Sequence, residues 1–132
     1  MLYGESGLKG LSGVSSDMRA LLASDAPRAR LAVDFYAYRA AQEIGKLATT
    51  LGGLDALVFT AGIGANSPPV RARICAHLGA LFGIALDGGA NGENGQRISS
   101  NDSRVPVLVL PTDEEGMIAL STARILRECG RL

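Results

Sequence analysis

The sequence predicts an α/β fold in which parallel strands are connected by crossover helices. Three stretches with the three- and four-residue apolar spacing of helices alternate with two short, continuously apolar runs, in the order helix, strand, helix, strand, helix. Strands that alternate with helices of this length pair in parallel through right-handed crossovers. Two strands are fewer than an ordinary covered sheet contains, so we expect this chain to be the end of a larger fold, truncated at its N-terminus.

The longest helix is predicted over residues 27–51. Its start is marked by Asp25 and Pro27, and its end by Gly52 and Gly53. The apolar spacing predicts that one face of this helix is buried, formed by Leu31, Phe35, Tyr38, Ala41, Ile44, Ala48 and Leu51.

Two apolar runs, residues 54–60 and 105–110, predict the strands. The first, LDALVFT, lacks an alternation of apolar and polar residues, which favours a strand covered on both faces. The second, VPVLVL, carries Pro106 near its beginning, where the missing amide donor is tolerated best. Between them, the turn-forming residues of DGGANGENG, at positions 87–95, predict a surface loop.

The other two helices are predicted from the residues that begin them. Ser67 as N-cap and Pro68 at the first helical position begin a helix that ends at Gly83. Its predicted buried stripe consists of Val70, Ile74, Leu78 and Leu81. The spacing of Thr112 and Glu115 predicts a capping box that opens the last helix.

Charge and composition exclude several classes of function. The 132 residues carry 13 Lys plus Arg against 13 Asp plus Glu, without the basic surplus of a protein that binds nucleic acid. No apolar run reaches the roughly 18 residues of a membrane span, and the first residues have neither the basic nor the apolar region of an export signal. Cys75 and Cys129 match no metal or disulfide spacing and lie in helical patterns, which predicts reduced, buried thiols in a cytoplasmic protein.

The glycine-rich segment TAGIGANSP, residues 60–68, is the first candidate site. Glycines let backbone amides approach a ligand, and the helix start that follows offers unpaired N–H groups, which together favour the phosphate or ribose of a nucleotide. Alternatively, the glycines serve only a turn that requires φ > 0. The segment is neither the Gly-x-Gly-x-x-Gly pattern, since Ser67 takes the place of the third glycine, nor a P-loop, since no Gly-Lys-Ser/Thr follows.

Acidic residues follow the second strand in PTDEE, residues 111–115. The carboxyl ends of adjacent parallel strands open into one crevice, so we expect this segment to face the same cleft as the glycines. A carboxylate beside a nucleotide phosphate indicates Mg²⁺, which takes one or two carboxylates together with phosphate oxygens and water. The alternative is that these carboxylates only complement the dipole of the last helix.

A third candidate is SSDMR, residues 15–19, at the start of a short helical run. Helix capping explains Ser16 and Asp17 without any ligand. Alternatively, Arg19 lies flat on a base while Asp17 accepts a hydrogen bond from a ribose hydroxyl. The single histidine, His77, has no partner residues in its local sequence that would make it catalytic, and we assign it none.

Three stretches together resemble the C-terminal part of an acetate kinase, in the family's order: SSDMRALL, DALVFTAGIGANSPPVRARIC and RVPVLVLPTDEEGMIA. The resemblance extends over essentially all 132 residues. It implies that residues 1–132 are the C-terminal part of the nucleotide-binding domain, a partial RNase H-like domain of the actin, sugar-kinase and Hsp70 type. It also implies a homodimeric, Mg²⁺-dependent enzyme that transfers the γ-phosphoryl group of ATP reversibly to acetate, giving ADP and acetyl phosphate.

On the matching positions, the resemblance implies roles for nine residues. The nucleoside would be contacted by Asp17, Met18 and Arg19. ADP would be contacted by Gly62, Ile63, Gly64, Ala65 and Asn66. Glu114 would be the Mg²⁺-associated carboxylate. The chain departs from the family where Ala65 replaces the usual glutamate and where Asp113 replaces the usual asparagine.

No catalytic residue is assigned within the chain. By the resemblance, the groups that act on the transferring phosphoryl group lie upstream of every matched segment, so we expect the isolated 132 residues to be inactive. The acceptor pocket lies there as well, which leaves propionate and butyrate open as alternatives to acetate. A truncated chain that binds nucleotide without catalysis, or only assembles with a partner, is the remaining alternative.

Overall fold

The computed structural model describes residues 6–129, which form seven helices and two strands. In chain order these are α1 (Gly7–Ser12), α2 (Met18–Leu22), α3 (Pro27–Leu51), β1 (Leu57–Phe59), α4 (Ala61–Asn66), α5 (Pro68–Phe82), α6 (Gly88–Gly92), β2 (Val107–Val109) and α7 (Glu114–Glu128). None of the described helices combines the length and apolarity needed to cross a membrane.

The two strands pair in parallel, as predicted. Leu57 lies opposite Val107, and Phe59 opposite Val109. These four side chains are buried and join one core cluster with residues of α3 and α5. Val58, which points to the other face, is 42% exposed. The prediction that β1 is covered on both faces is therefore wrong within the described residues, because helices pack on only one of them.

β2 is paired along both edges. Besides β1, it contacts the segment before it: the Ile98 amide donates to the Val107 carbonyl, and the Val109 amide to that of Gln96, both at 2.9 Å. Within the described residues, β1 pairs with β2 alone. One edge of β1 therefore remains available for a further strand.

α3 has the predicted bounds, but its buried face agrees only in part with the predicted one. Gly52, with φ 79°, ends the helix. Its buried residues are Ala29, Ala32, Val33, Ala37, Ala41 and Ala48. Of the predicted face, Ala41 and Ala48 are buried as predicted, whereas the larger side chains of Leu31, Phe35, Tyr38 and Leu51 are between 46% and 78% exposed. α3 packs against α1, α2 and α5, and small side chains allow the close approach that these crossings require.

α5 begins at Pro68 and buries Val70, Ile74 and Leu78, as predicted. Leu81, in its last turn, is 71% exposed, contrary to the prediction. Cys75 is buried on the same helix, and burial raises the pKa of its thiol to about 12. Cys129, after α7, is exposed, so the prediction of a buried thiol is wrong there.

α7 begins one residue later than predicted. Asp113, not Thr112, is the N-cap, and its Oδ1 accepts from the Gly116 amide at 2.9 Å. The capping box predicted from Thr112 and Glu115 is therefore wrong. α7 buries none of its residues in the described part of the chain, and Met117 and Ile118 are 63% and 68% exposed.

The segment predicted as a surface loop contains α6. Asp87 caps this helix, and its Oδ1 accepts from the Ala90 amide at 3.0 Å. Asn91, within α6, is buried against α5. The composition of this segment did not indicate a helix, because glycine and asparagine are poor helix formers. The Asp87 cap and the contact of Asn91 with α5 support the helix here.

Candidate functional site

The Gly-x-Gly segment is a short helix, α4, rather than an open turn. The positive φ at this point belongs to Ala61, at 57°, while Gly62 and Gly64 have negative φ inside the helix. The alternative that these two glycines serve a left-handed turn is therefore wrong. A Cβ would be accommodated at both positions: on Gly64 it would lie at an ordinary contact distance of 3.6 Å from Phe59, and on Gly62 it would have nothing within 4 Å.

α4 lies between two clefts. The α2 cleft, of about 590 Å³, is lined by Asp17, Met18, Arg19, Leu22, Gly62, Ile63, Asn66, Ser67 and Pro69. The α7 cleft, of about 610 Å³, is lined by Ala61, Gly62, Ala65, Asn66, Pro111, Thr112, Asp113, Glu114 and Glu115. Gly62 and Asn66 line both, so the two clefts meet across the exposed side of α4.

The structure brings together eight of the nine residues singled out from the sequence. Those on α2 line one cleft and Glu114 lines the other, with α4 between them. Gly64 is the exception: it lines neither cleft and packs instead against Phe59 of β1. The predicted convergence of the two strand ends on one crevice is present, because Ala61 and Pro111 both line the α7 cleft.

At the α2 cleft, Asp17 caps its helix. Its Oδ1 accepts from the Arg19 amide at 2.7 Å, and its Oδ2 lies 3.4 Å from Arg19 Nη2. These backbone and side-chain hydrogen bonds lower the pKa of Asp17. The Arg19 side chain is 92% exposed, so this ion pair contributes little to stability. Met18 is buried beneath it and forms an apolar wall of the cleft.

Two polar side chains at the end of α4, those of Asn66 and Ser67, differ in their hydrogen bonding. Asn66 Nδ2 donates to the Gly62 carbonyl at 2.9 Å. Ser67 occupies the N-cap position of α5, as predicted, but makes no side-chain capping bond. Its Oγ is buried and has no hydrogen-bond partner within residues 6–129.

At the α7 cleft, the acidic residues have different tasks. The carboxylate of Asp113 caps α7 by accepting from the Gly116 amide, whereas Glu114 and Glu115 are exposed in the first helical turn. Residues 6–129 contain no group of three or more His, Cys, Asp or Glu that could hold a metal ion. A single carboxylate beside a phosphate nevertheless fits Mg²⁺, which is bound by one or two carboxylates with phosphate oxygens and water. The contribution of both glutamates to the helix dipole remains the alternative.

Arg71, the most extensively hydrogen-bonded side chain beside α4, was not indicated by any of the sequence motifs. It is fully buried, at 0% exposure. Its Nη1 donates to the carbonyls of Gly64 and Ala65, each at 2.9 Å. One signal was present in the sequence: position 71 falls on the buried stripe of α5, next to Val70 and one turn before Ile74 and Cys75.

His77 lies away from both clefts. It is exposed on α5 and makes an edge contact with Tyr38 of α3, with ring centroids 5.7 Å apart. This contact is a packing interaction between α5 and α3.

Comparison with known proteins gives consistent matches along nearly the whole chain. The model of the acetokinase family matches residues 1–120. The chain is 56% identical over 125 residues to an acetate kinase of Nitrobacter hamburgensis, covering 95% of this chain and 31% of that protein. It is 56% identical over 126 residues to an acetate kinase of Rhizobium meliloti, covering 96% and 32%.

Solved structures agree with this. An acetate kinase of Porphyromonas gingivalis matches with a TM-score of 0.80 at 42% identity, covering 92% of this chain and 32% of that one. A propionate kinase of Francisella tularensis matches with a TM-score of 0.82 at 35% identity, covering 90% and 31%. The chain therefore spans about a third of the length of these relatives. The predicted fold class, a partial α/β domain of the sugar-kinase and actin type, is confirmed.

Proposed function

The chain belongs to the acetokinase family, and on this basis we propose that it forms the nucleotide and Mg²⁺ side of the active site of an acetate kinase. In the proposed reaction, the γ-phosphoryl group of ATP passes reversibly to a carboxylate oxygen of acetate, giving ADP and acetyl phosphate. One observation carries the proposal: segments far apart in the chain converge on α4, so that Gly62 and Asn66 line both the α2 cleft and the α7 cleft.

The α2 cleft suits the nucleoside. Met18 and Ile63 provide apolar surface, and the exposed guanidinium of Arg19 can stack on a base. Asp17 uses Oδ1 for its cap, which leaves Oδ2, now in a weak contact with Arg19, to accept from a ribose hydroxyl. Capping and nucleoside binding by Asp17 are therefore compatible.

The α7 cleft suits the phosphates. Gly62 has no side chain at the junction of the clefts, so a phosphate chain can cross α4 there. Glu114 lines the same cleft as Gly62 and is the carboxylate that would hold Mg²⁺. The metal ion would neutralise negative charge on the phosphate oxygens. Asn66, at the same junction, offers an amide to either part of the nucleotide.

The acceptor side is assigned outside this chain. By the family resemblance, the groups that act on the transferring phosphoryl group and the acceptor pocket precede the matched segments. We therefore expect the 132 residues, mixed with ATP, Mg²⁺, acetate and hydroxylamine, which traps acetyl phosphate, to give no acetyl hydroxamate above a blank without protein. The similarity to a propionate kinase structure supports propionate as the second candidate acceptor, since the nucleotide side would be the same for both.

Homodimerisation is also proposed. Leu31 and Phe35 are 56% and 50% exposed on the side of α3 that faces away from the core, and Tyr38 lies on the same side. Apolar patches of this kind on a helix mark interaction surfaces. A second copy of the protein is the occupant that the family resemblance implies.

Gly62 provides the test of the nucleotide site. The Cβ of a leucine at this position would have no atom within 4 Å, and the rest of its side chain would extend into the junction of the clefts. We therefore expect Gly62→Leu to retain the fold and to weaken ADP binding about tenfold or more, measured by calorimetric titration. Gly45→Leu is the matched control, because Gly45 is also helical with nothing within 4 Å and lies away from both clefts. Unchanged affinity of Gly62→Leu, or a wild-type protein that binds no ADP, would overturn the proposal.

A further inference from the structure

Arg71 is a buried cation whose five N–H donors are all engaged. Nε donates to Asn91 Oδ1 at 2.8 Å, and Nη1 donates to the carbonyls of Gly64 and Ala65 at 2.9 Å. Nη2 donates to the Asn91 carbonyl at 2.8 Å and to Asn94 Oδ1 at 2.7 Å. The guanidinium therefore joins three elements: α5, which carries it, the end of α4, and the segment containing α6.

The partners of Arg71 are all neutral oxygens. Burial lowers the pKa of Arg71 by disfavouring its charged form, yet the guanidinium of an arginine stays protonated in proteins. A buried charge without an acidic partner is tolerated only when its hydrogen bonds are complete. Losing one of these acceptors is therefore costly, which makes the arrangement of the three elements mutually dependent.

The carbonyls that Arg71 binds lie in the last turn of α4. The last four carbonyls of a helix have no partner within the helix, so those of Gly64 and Ala65 need an outside donor. A cation is favoured at that end of a helix. Arg71 thus holds the C-terminal end of α4, the helix whose exposed Gly62 lies where the two clefts meet.

The segment 87–94 supplies the other half of the connection. The side chain of Asn91 is buried. Its Oδ1 accepts a hydrogen bond from Arg71 Nε, and its Nδ2 donates to the Pro68 carbonyl at 3.0 Å. Asn94 holds a left-handed conformation, with φ 54°, that presents its Oδ1 to Arg71. Neither asparagine lines the α2 cleft or the α7 cleft. Arg71 links them to α4 by hydrogen bonds.

We propose that Arg71 is a positioning residue that fixes α4, and with it the junction of the two clefts, against the segment 87–94. This inference rests on the proposed nucleotide site for its functional consequence, and it assigns a role to a segment that lines neither cleft. Lysine cannot substitute, because its single ammonium cannot reach two carbonyls of α4 and two asparagines in a planar arrangement.

The test compares Arg71→Lys with Arg73→Lys. Arg73 is the matched control, since it lies on the same helix but pairs with Asp34 at 2.9 Å near the surface. We expect Arg71→Lys to raise amide exchange in residues 61–67 and to weaken MgADP binding, each by about tenfold or more, because hydrogen bonds to a charged group are lost. Exchange in the middle of α3 stays at the wild-type rate, and Arg73→Lys changes neither quantity.

A second variant covers the case in which Arg71→Lys fails to fold. Asn94→Gly retains the left-handed backbone and removes one acceptor of Nη2, so we expect a smaller change in the same two measurements. Unchanged exchange in residues 61–67 overturns the inference, as does a uniform rise in exchange that includes α3. A wild-type protein that binds no ADP overturns the proposed function instead, and the exchange of residues 61–67 then decides by itself whether Arg71 holds α4.

Discussion

Asp113 and Gly116 together fix the residue at which α7 begins. The Gly116 amide donates to Asp113 Oδ1 at 2.9 Å, and a Cβ at position 116 would collide with the same carboxylate. The Asp113 cap therefore depends on the glycine at position 116, which leaves room for the carboxylate. It places Glu114 at the first position of the helix, facing the α7 cleft.

We expect Asp113→Ala to destabilise the first turn of α7 by about 1 kcal/mol, the usual value of an N-cap. Because α7 buries none of its described residues, the effect should be local and should appear as faster exchange of the Gly116 and Met117 amides. Thr112→Ala is the control, since Thr112 is one residue too early to cap. Faster exchange in Thr112→Ala alone would contradict the assignment of the cap.

Variants of Glu114 and Glu115 distinguish a role in metal binding from a role in the helix dipole. Both lie in the first turn of α7, so neutralising either should weaken the dipole interaction equally, by about 0.3–1 kcal/mol. We expect Glu114→Gln to reduce the affinity for MgADP while leaving that for ADP in EDTA unchanged, whereas Glu115→Gln changes neither. Equal effects of the two variants on MgADP binding would favour the dipole interpretation.

Ser67→Ala should cost less than an ordinary cap. The Ser67 Oγ has no partner in the described part of the chain, so its removal relieves a buried, unsatisfied hydroxyl. We expect the free energy of unfolding, measured by urea denaturation, to fall by less than about 0.5 kcal/mol or to rise. Asp87→Ala, which removes an observed cap of α6, should cost about 1 kcal/mol by comparison. A loss of that size in Ser67→Ala would indicate a hidden capping bond.

The two thiols should differ sharply in reactivity. Burial raises the pKa of Cys75 to about 12, so almost no thiolate is present at pH 8, while Cys129 is exposed. We expect iodoacetamide to label Cys129 in the native protein and Cys75 only after unfolding, as read by peptide mass. Equal labelling of both thiols at pH 8 would contradict this difference in reactivity.

The raised pKa of Cys75 also affects stability. Its contribution to the free energy of unfolding is complete below the unfolded pKa near 9 and declines as pH rises toward 12.

The exposed side of α3 should determine self-association. We expect the wild-type protein to form dimers or larger species at micromolar concentration, measured by light scattering. Phe35→Glu places a charge in the centre of the patch of Leu31, Phe35 and Tyr38 and should reduce the mass toward that of a monomer. Ile118→Glu, on α7, is a control at a similarly exposed apolar site. If Ile118→Glu alone reduced the mass, α7 would be the interface.

The candidate site was largely predictable because its residues lie in short local motifs. Residues 15–19, 60–68 and 111–115 each follow a strand or begin a helix, and parallel strands bring their ends to one edge. Arg71 was not predictable in the same way. Its partners Asn91 and Asn94 lie 20 and 23 residues further along the chain, and nothing local indicates that they meet it.

The sequence by itself determined the order of the main elements, their parallel pairing and the ends of α3, because Pro27 and Gly52 restrict the backbone wherever they occur. Only the tertiary structure decided which side of α3 is buried, whether Gly62 lies in a turn or a helix, and which residue caps α7. Periodicity predicts that a helix has an apolar face, but the elements that pack against the helix determine which face is buried. At α3 the buried residues are mostly alanines, and the larger Leu31 and Phe35 are exposed.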